Sequence, residues 1–386
     1  MDVSNPRVAI VHHWLVWMGG AEKVLSAFCE LYPQADIFTN VLDPGGISPT
    51  FLRHDIHTSF VNRLPFAKSQ YQRYLPLMPL ALGQFDLRKY DLVISCEAGP
   101  SKGVITRPDS LHVCYCHSPM RYIWDMYQDY SSQAGRLTRM TIPWLVHRLR
   151  KWDVISSHWV DHFITNSHHS GNRILKYYRR ESDVIYPPVD IDFFRPTDEM
   201  SDYYLMVGRL VDYKRFDLAV ETFNRMQKPL IIIGQGPMAG KLAKMAGPTV
   251  RLLGWQDAES LRRHYARCRA LIFPGEEDFG IVPLEAMASG RPVIAYAKGG
   301  ALESVVDGMT GVFFREQTVD SLAEAIVQYE RQIESFSPEV CVARARQFRT
   351  EKFKSEFSSM VNRLLEARSS RIDEHQAGER RRLLAV

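Results

Sequence analysis

The chain has 386 residues, 45% hydrophobic and 24% charged, which excludes a mainly disordered polymer and suits two or three packed domains. Its 48 basic groups against 44 acidic ones leave a net charge of only +4, which argues against a wholly basic nucleic-acid binder. Six cysteines in a chain this long do not build a disulfide framework.

No run of about 18 apolar residues is present. The opening MDVSNPRVAIVHHW has no apolar segment of signal-peptide length, so a reduced, cytoplasmic chain is expected. Arg7–Val11 is the first expected strand, followed by WMGGAEKV (17–24) and a helix over Ala21–Leu31. Leu92–Cys96, Leu111–Cys116 and His162–Asn166 continue the strand series. Cys114, Cys116 and His117 sit close together, but alternate strand residues face opposite ways and no second ligand cluster follows, so no metal is expected.

Charge is unevenly placed. Residues 121–151 hold six Arg and Lys against two Asp. Within 142–163, Ile142, Leu145, Leu149, Trp152, Ile155 or Ser156, Trp159 and Phe163 share one helical face, while His147, Arg148, Arg150 and Lys151 lie off it. Two readings fit: a core helix with a solvated basic side, or a helix over 136–159 on an anionic membrane surface.

Residues 184–202, VIYPPVDIDFFRPTDEMSD, interrupt the pattern with three prolines and several acids. They divide the chain into a first domain (1–188), a linker (189–202) and a second domain (203–345). A second series follows, with strands at Tyr203–Val207, Pro229–Ile233, Val250–Leu253, Ala270–Phe273 and Pro292–Ala295. Its helices are Phe216–Met226, Glu259–Ala266 and Val282–Ser289. Such alternation predicts an α/β protein of two Rossmann-like, doubly wound parallel sheets, with ligands at a crevice outside the strand ends. Phe353, Phe357, Met360 and Leu364 mark a helix face in the last segment, 346–386. In the tail, Arg380, Arg381 and Arg382 suit either a frayed terminus or an anionic surface.

GEEDFGIVPLEAMASG (275–290) follows a strand and opens a helix. The free N–H groups around Phe279, Gly280 and Ile281 would form an anion site suited to phosphate. Glu277 and Glu285 are carboxylates able to accept a sugar diol's hydroxyls, or simply acids beside a helix N-terminus. GRLVDYKR (208–215) presents Arg209, Lys214 and Arg215, and GQGP begins at Gly234. With Gly19 and Gly20, these glycine turns and cations suit a nucleotide diphosphate.

The combination of EEDFGIVPLEAMASG, GGALESVVDGMTGVFF, GRLVDYKR and GQGP resembles the donor half of retaining glycosyltransferases of family four, which have the GT-B fold. The resemblance is close over about 203–315 and looser before 190, where it rests on WMGGAEKV and CHSPMRYIWD. It implies two domains facing a central cleft, the first for an acceptor and the second for a nucleotide-sugar donor. The final helix would pack back toward the first domain. Glu277 would hold donor hexose hydroxyls, Glu285 the ribose hydroxyls, and Arg209 and Lys214 the diphosphate. Gly19 and Gly20 would close over the phosphates, and His117 would contact the hexose near the reacting carbon. Front-face attack needs no protein nucleophile, cofactor or metal.

Two departures stand out: Ser118 replaces the aspartate that usually follows the histidine, and Pro187-Pro188 replaces a common Asn-Gly. PMRYIWD resembles a subgroup handling mannose in surface-polysaccharide assembly, which implies GDP-mannose and a lipid-linked saccharide acceptor at the inner face of the plasma membrane. Tyr122 and Trp124 either stack on an acceptor sugar or pack a loop, and Arg121 either meets a phosphate or is a surface arginine. The alternatives are a UDP-sugar donor, a non-catalytic nucleotide-sugar binder, and a nicotinamide enzyme using Gly234-Gln-Gly-Pro-Met-Ala239 with Asp257. A metal-dependent transferase using Asp190-Ile-Asp192 is a further one.

Overall fold

Strand β1 (Val8–His12) is buried at every residue, as a central parallel strand covered on both faces must be. The computed structural model describes residues 6–97, 99–128 and 136–383. Side chains at 97, 136–139, 371–373 and 375–383 fall outside the description, and with them Arg380, Arg381 and Arg382. The chain divides into two compact units: residues to Tyr186 together with those from Phe353 onward, and Pro187–Lys352.

The first unit holds β2 (Asp36–Thr39), β3 (Ile56–Thr58), β4 (Leu92–Glu97), β5 (Leu111–Cys116), β6 (His162–Thr165) and β7 (Asp183–Val184) around β1. Their order is β3-β2-β1-β4-β5-β6-β7, every pair parallel. The second unit holds β8 (Tyr204–Val207), β9 (Leu230–Ile233), β10 (Val250–Gly254), β11 (Leu271–Phe273), β12 (Val293–Tyr296) and β13 (Gly311–Phe314). Its order is β10-β9-β8-β11-β12-β13, again all parallel. The expected α/β class with two doubly wound sheets is what the structure has. In each sheet the strand order reverses once, between β1 and β4 and between β8 and β11. Open α/β sheets bind ligands beside that reversal.

The segment 187–202 is anchored to the second unit rather than strung free. Val189 N–H donates to Phe348 O at 2.9 Å, and the buried Arg291 guanidinium donates to Thr197 O at 2.9 Å. The long helix Thr350–Leu383 supplies Phe353, Phe357, Val361 and Leu365 to the core of the first unit. Phe357 lies 4.5 Å from Phe28, and Phe353 lies 5.7 Å from Tyr115. Met360 and Leu364, expected on the inward face, sit at its margin, because the buried stripe runs at strict four-residue spacing.

The helix Arg136–Ser157 corrects the expected face in the same way. Val146, Leu149, Asp153, Ser156 and Ser157 are buried, whereas Ile155 and Trp159 are exposed. Arg150, expected on the solvated side, turns inward: its Nε donates to Ile123 O at 2.6 Å and its guanidinium lies over Trp124 and Tyr127. Asp153 explains the rotation. This fully buried carboxylate is ion-paired to the equally buried Lys102 and accepts bonds from Trp124 Nε1 (2.7 Å) and the Tyr178 hydroxyl (3.0 Å). A buried charge survives only when so paired and hydrogen-bonded.

The first unit's dependence on the final helix is checked by Phe357→Ala. The loss should be about 3–5 kcal/mol in chemical denaturation of the first unit. Met360→Ala should cost clearly less.

Candidate active site

In the second unit the candidate residues gather where β8, β9 and β11 end, next to the strand-order reversal. Beyond β8, Gly208 turns the chain and a short 3-10 turn, Asp212–Lys214, brings Lys214 back over the strand ends. Lys214 Nζ donates to Glu277 Oε1 at 2.6 Å, with the two side chains only 14% and 16% exposed. A Cβ on Gly234 would stand 1.8 Å from Gly208 O, so the β9 turn can approach the β8 turn only as glycine.

Glu277 lies between β11 and the helix Ile281–Ala288. Gly280, at φ 82°, is its N-cap and, having no side chain, supplies no acceptor to the first backbone N–H groups. Phe279 is buried against Phe348, so only its backbone serves the site. Gly300 N–H donates to Glu277 O at 2.9 Å, and Gln317 Nε2 to Pro274 O at 2.7 Å. Gly300 and Gln317 thus brace the carboxylate-bearing loop. Sequence reasoning missed both roles, although the first lies in the GGALE motif.

Arg209 is exposed beside the β8 turn. Arg215 is committed elsewhere, to Asp217 and Gln317, both at 3.3 Å. Glu285 is nearly buried on the inner face of its helix and accepts the Tyr265 hydroxyl at 2.8 Å. Burial, and then Glu285, push the Tyr265 phenol well above its ordinary range, so it stays a donor.

In the first unit the ends of β1, β4 and β5 gather three imidazoles: His12, His13 and His117. The His12 and His13 rings are 4.3 Å apart. His117 Nε2 lies 3.3 Å from Cys96 Sγ, and its carbonyl accepts Ser170 Oγ at 2.9 Å. Burial and the neighbouring His12 lower His117 to about 3, and burial, His12 and His117 hold His13 well below its ordinary value. Both are therefore neutral at physiological pH. Ser118 is buried with its hydroxyl unpartnered among the described residues, so it offers His117 no support.

Gly19 and Gly20 stand at the start of the helix Gly20–Leu31. Glu22, buried in its first turn, accepts Gly19 N–H at 2.8 Å and lies 3.2 Å from His12 Nε2. Part of the helix's anion-attracting end is thus already met by the protein's own carboxylate. Sequence reasoning missed His12 and Glu22; their signal was the Gly-x-x-Glu capping spacing. Among the described residues, His12, His13 and Glu22 are the only set bringing three potential metal ligands within 4.8 Å of one another.

The loop after His117 is used for packing. Trp124 stacks on Tyr177 at 4.7 Å, lies against Arg150 and donates to Asp153. Tyr122 joins the cluster of Met120, Ile123 and Leu149. These contacts pack Trp124 and Tyr122 into the loop, with both side chains still partly exposed. Arg121 is within 3.7 Å of Asp125. Cys114 and Cys116 form no disulfide and are buried in an apolar cluster. Asp257 caps the helix Ala258–Arg267 through Ser260 N–H (2.7 Å), and Asp190 accepts Phe193 N–H (3.0 Å). Ordinary capping and turn formation account for both acids.

Two family models match the chain: Glycosyltransferase Family 4 over residues 18–193, and Glycosyl transferases group 1 over 201–331. D-inositol 3-phosphate glycosyltransferase of Mycobacterium avium is 28% identical over 192 residues, 43% of this chain and 45% of that protein. The enzyme of the same name from Mycobacterium leprae is 28% identical over 197 residues, 44% of this chain and 46% of its own. The matched region thus spans under half the length of these curated relatives. Among solved structures, sucrose-phosphate synthase from Thermosynechococcus elongatus superposes with a TM-score of 0.72 at 18% identity, covering 94% of this chain and all of its own. Anabaena HepE in complex with UDP and glucose gives 0.68 at 16%, covering 92% and 98%. These likenesses establish the fold as GT-B.

The buried histidines set an acid limit. His117 falls to about 3 and His112, buried within β5, to about 4, both from 6.5 and both chiefly by burial. Between those values the unfolded chain binds protons that the folded chain refuses, so stability falls as pH drops from 6.5 towards 3. Thermal melting against pH should show this slope, and His112→Gln should flatten it.

Proposed function

The chain belongs to the family 4 glycosyltransferases, and we propose that it transfers a hexose, mannose from GDP-mannose, to a lipid-linked saccharide with retention of configuration. The single observation that carries the donor half is the Lys214–Glu277 pair at the ends of β8 and β11. It holds a cation and a hydroxyl-accepting carboxylate in one fixed geometry beside the first backbone N–H groups of the next helix.

In this mechanism the bond from the sugar's anomeric carbon to the leaving phosphate oxygen breaks as the acceptor oxygen bonds to the same face. The acceptor's proton passes to the leaving phosphate oxygen, so charge balances without a protein nucleophile. Lys214, Arg209 and the Gly280–Ile281 N–H groups meet the growing phosphate charge. Glu277 holds the hexose, and Glu285, oriented by Tyr265, accepts ribose hydroxyls. His117, kept neutral, can both accept and donate a hydrogen bond, as a sugar hydroxyl requires. Gly20 contacts phosphate through its N–H, and Gly19, whose N–H Glu22 already takes, lets the backbone come close to it. Arg121 is kept as an acceptor-side cation. No cofactor or metal takes part.

Mannose and GDP rest on the PMRYIWD resemblance. Among the described residues no helix is long and apolar enough to cross a membrane. The basic helix Arg136–Ser157 supports a peripheral place on the inner membrane face, where a lipid-linked acceptor would be met.

Glu277→Ala should cut sugar transfer by at least about 100-fold while melting stays near wild type, because an interaction made at the reacting sugar is lost. Unchanged turnover would sink the assignment, and a folded variant that still binds donor would mark the loss as catalytic. A panel of GDP-mannose, UDP-hexoses and ADP-hexoses, scored by nucleotide release, tests the donor. Preference for UDP would remove the mannose assignment and leave the family standing.

A further inference from the structure

Between Ile56 and Phe85 the sequence contains no aspartate or glutamate, yet it carries Arg63, Lys68 and Arg73 among many apolar residues. In the first unit this stretch folds into short helical turns, Phe60–Arg63, Ala67–Gln70, Tyr71–Leu77 and Met78–Leu82. Its small and aromatic residues face inward: Ala67, Ala81 and Val61 are buried, with Phe60, Tyr71 and Tyr74 packed on them. Three large apolar side chains point the other way, Phe66 at 73% exposure, Leu80 at 62% and Leu77 at 41%.

Phe66 is not a loose tip. Its backbone lies in the left-handed region at φ 56°, uncommon for a bulky residue. The turn is held by Gln70 N–H donating to Phe66 O at 2.8 Å and by the Tyr74 hydroxyl donating to Pro65 O at 2.6 Å. The protein therefore spends conformational strain to hold an aromatic ring in water. Around it Arg63 and Arg73 are exposed and form no ion pair among the described residues; Lys68 lies 3.6 Å from Asp43.

Leu75 joins this segment to the helix Arg136–Ser157, packing in one cluster with Met120, Ile142, Leu145 and Leu149. That helix is also without acids from 136 to 152 and exposes Met140 (80%) and Trp144 (61%) beside His147, Arg148 and Lys151. Arg148 lies 4.2 Å from the Trp144 ring. Two elements on one shared core thus display aromatic and aliphatic side chains interleaved with cations, of which Lys68 is near a carboxylate and Arg63, Arg73, Arg148 and Lys151 form no ion pair among the described residues.

We propose that the Phe66–Leu80 segment is a membrane-inserting wedge. Phe66, Leu77 and Leu80 enter the acyl boundary while Arg63, Lys68 and Arg73 lie against anionic headgroups, and the helix face at Met140 and Trp144 is the adjoining contact. The occupant is an anionic bilayer because Arg63, Arg73, Arg148 and Lys151 form no ion pair among the described residues and stand beside single projecting apolar groups, with Lys68 near Asp43. This deepens the lipid-linked acceptor reading, on which it rests for its use in the reaction.

The experiment is flotation of the full chain with vesicles of phosphatidylcholine alone and of phosphatidylcholine mixed equally with phosphatidylglycerol. Wild type should bind the anionic vesicles at least about tenfold better, and lose that advantage in high salt. Phe66→Asn with Leu80→Ser should lower binding about tenfold. Melting should be unchanged, since asparagine accepts the left-handed turn and both side chains are exposed. Hexose transfer to a water-soluble acceptor should also be unchanged. Equal binding to both vesicles, no binding, or wild-type binding by the double variant would each overturn the wedge. Transfer to a detergent-dispersed lipid-linked acceptor without vesicle binding would overturn the wedge and leave the acceptor reading intact. Wedge-dependent vesicle binding without transfer to any lipid-linked acceptor would support the wedge and remove the acceptor reading.

Discussion

A parallel strand cannot be followed by its neighbour through a tight turn; the chain must cross over and return. Both sheets obey this without exception, so in each unit the strand-to-helix turns collect at one edge. Polar chemistry gathers there because a buried sheet leaves no other place for it. Lys214, Gly234, Glu277 and Gly280 come from turns spread over 66 residues, and His12, His13 and His117 from turns still further apart. The connectivity assembles each group before any side chain is chosen.

What the side chains add is rigidity. Lys214 and Glu277 fix one another, and the Gly300 and Gln317 bonds hold the loop that bears the carboxylate. In the first unit Glu22 performs the parallel service, tying Gly19 to His12. Lys102 and Asp153 do so more deeply, since a pair with no access to water fixes every group bonded to it. Trp124, Tyr178 and the helix Arg136–Ser157 all meet at that carboxylate.

The strands that could be read from sequence are those whose apolar runs end at glycine, proline or a change of period, such as Leu92–Cys96 and Leu271–Phe273. Asp36–Thr39 and Ile56–Thr58 escaped because they hold no more than two apolar residues each, and Gly311–Phe314 because it opens on glycine. The candidate residues of the second unit were legible because turn chemistry is local: GEEDFG announces a strand end and a helix start in one stretch. Glu285 was placed on the correct helix, but its burial against Tyr265 depends on a residue 20 positions away. Asp153 was the more instructive case. Periodicity alone left Ile155 or Ser156 open and turned the helix toward Trp159, whereas a partner 51 residues earlier, Lys102, decides that Asp153 and Ser156 go inward. Pattern reading assumes that polar residues seek water, and a buried pair reverses that sign.

The last helix closes the core of a unit whose other residues all precede Pro187. During synthesis, the first 186 residues leave the ribosome well before Phe353, Phe357, Val361 and Leu365 exist. Phe28 and Tyr115 must wait, with an apolar face uncovered, while the whole intervening unit is made. Vectorial folding is therefore out of step with the chain: the unit that begins first finishes last. The waiting intermediate is the species that a chaperone would have most reason to hold.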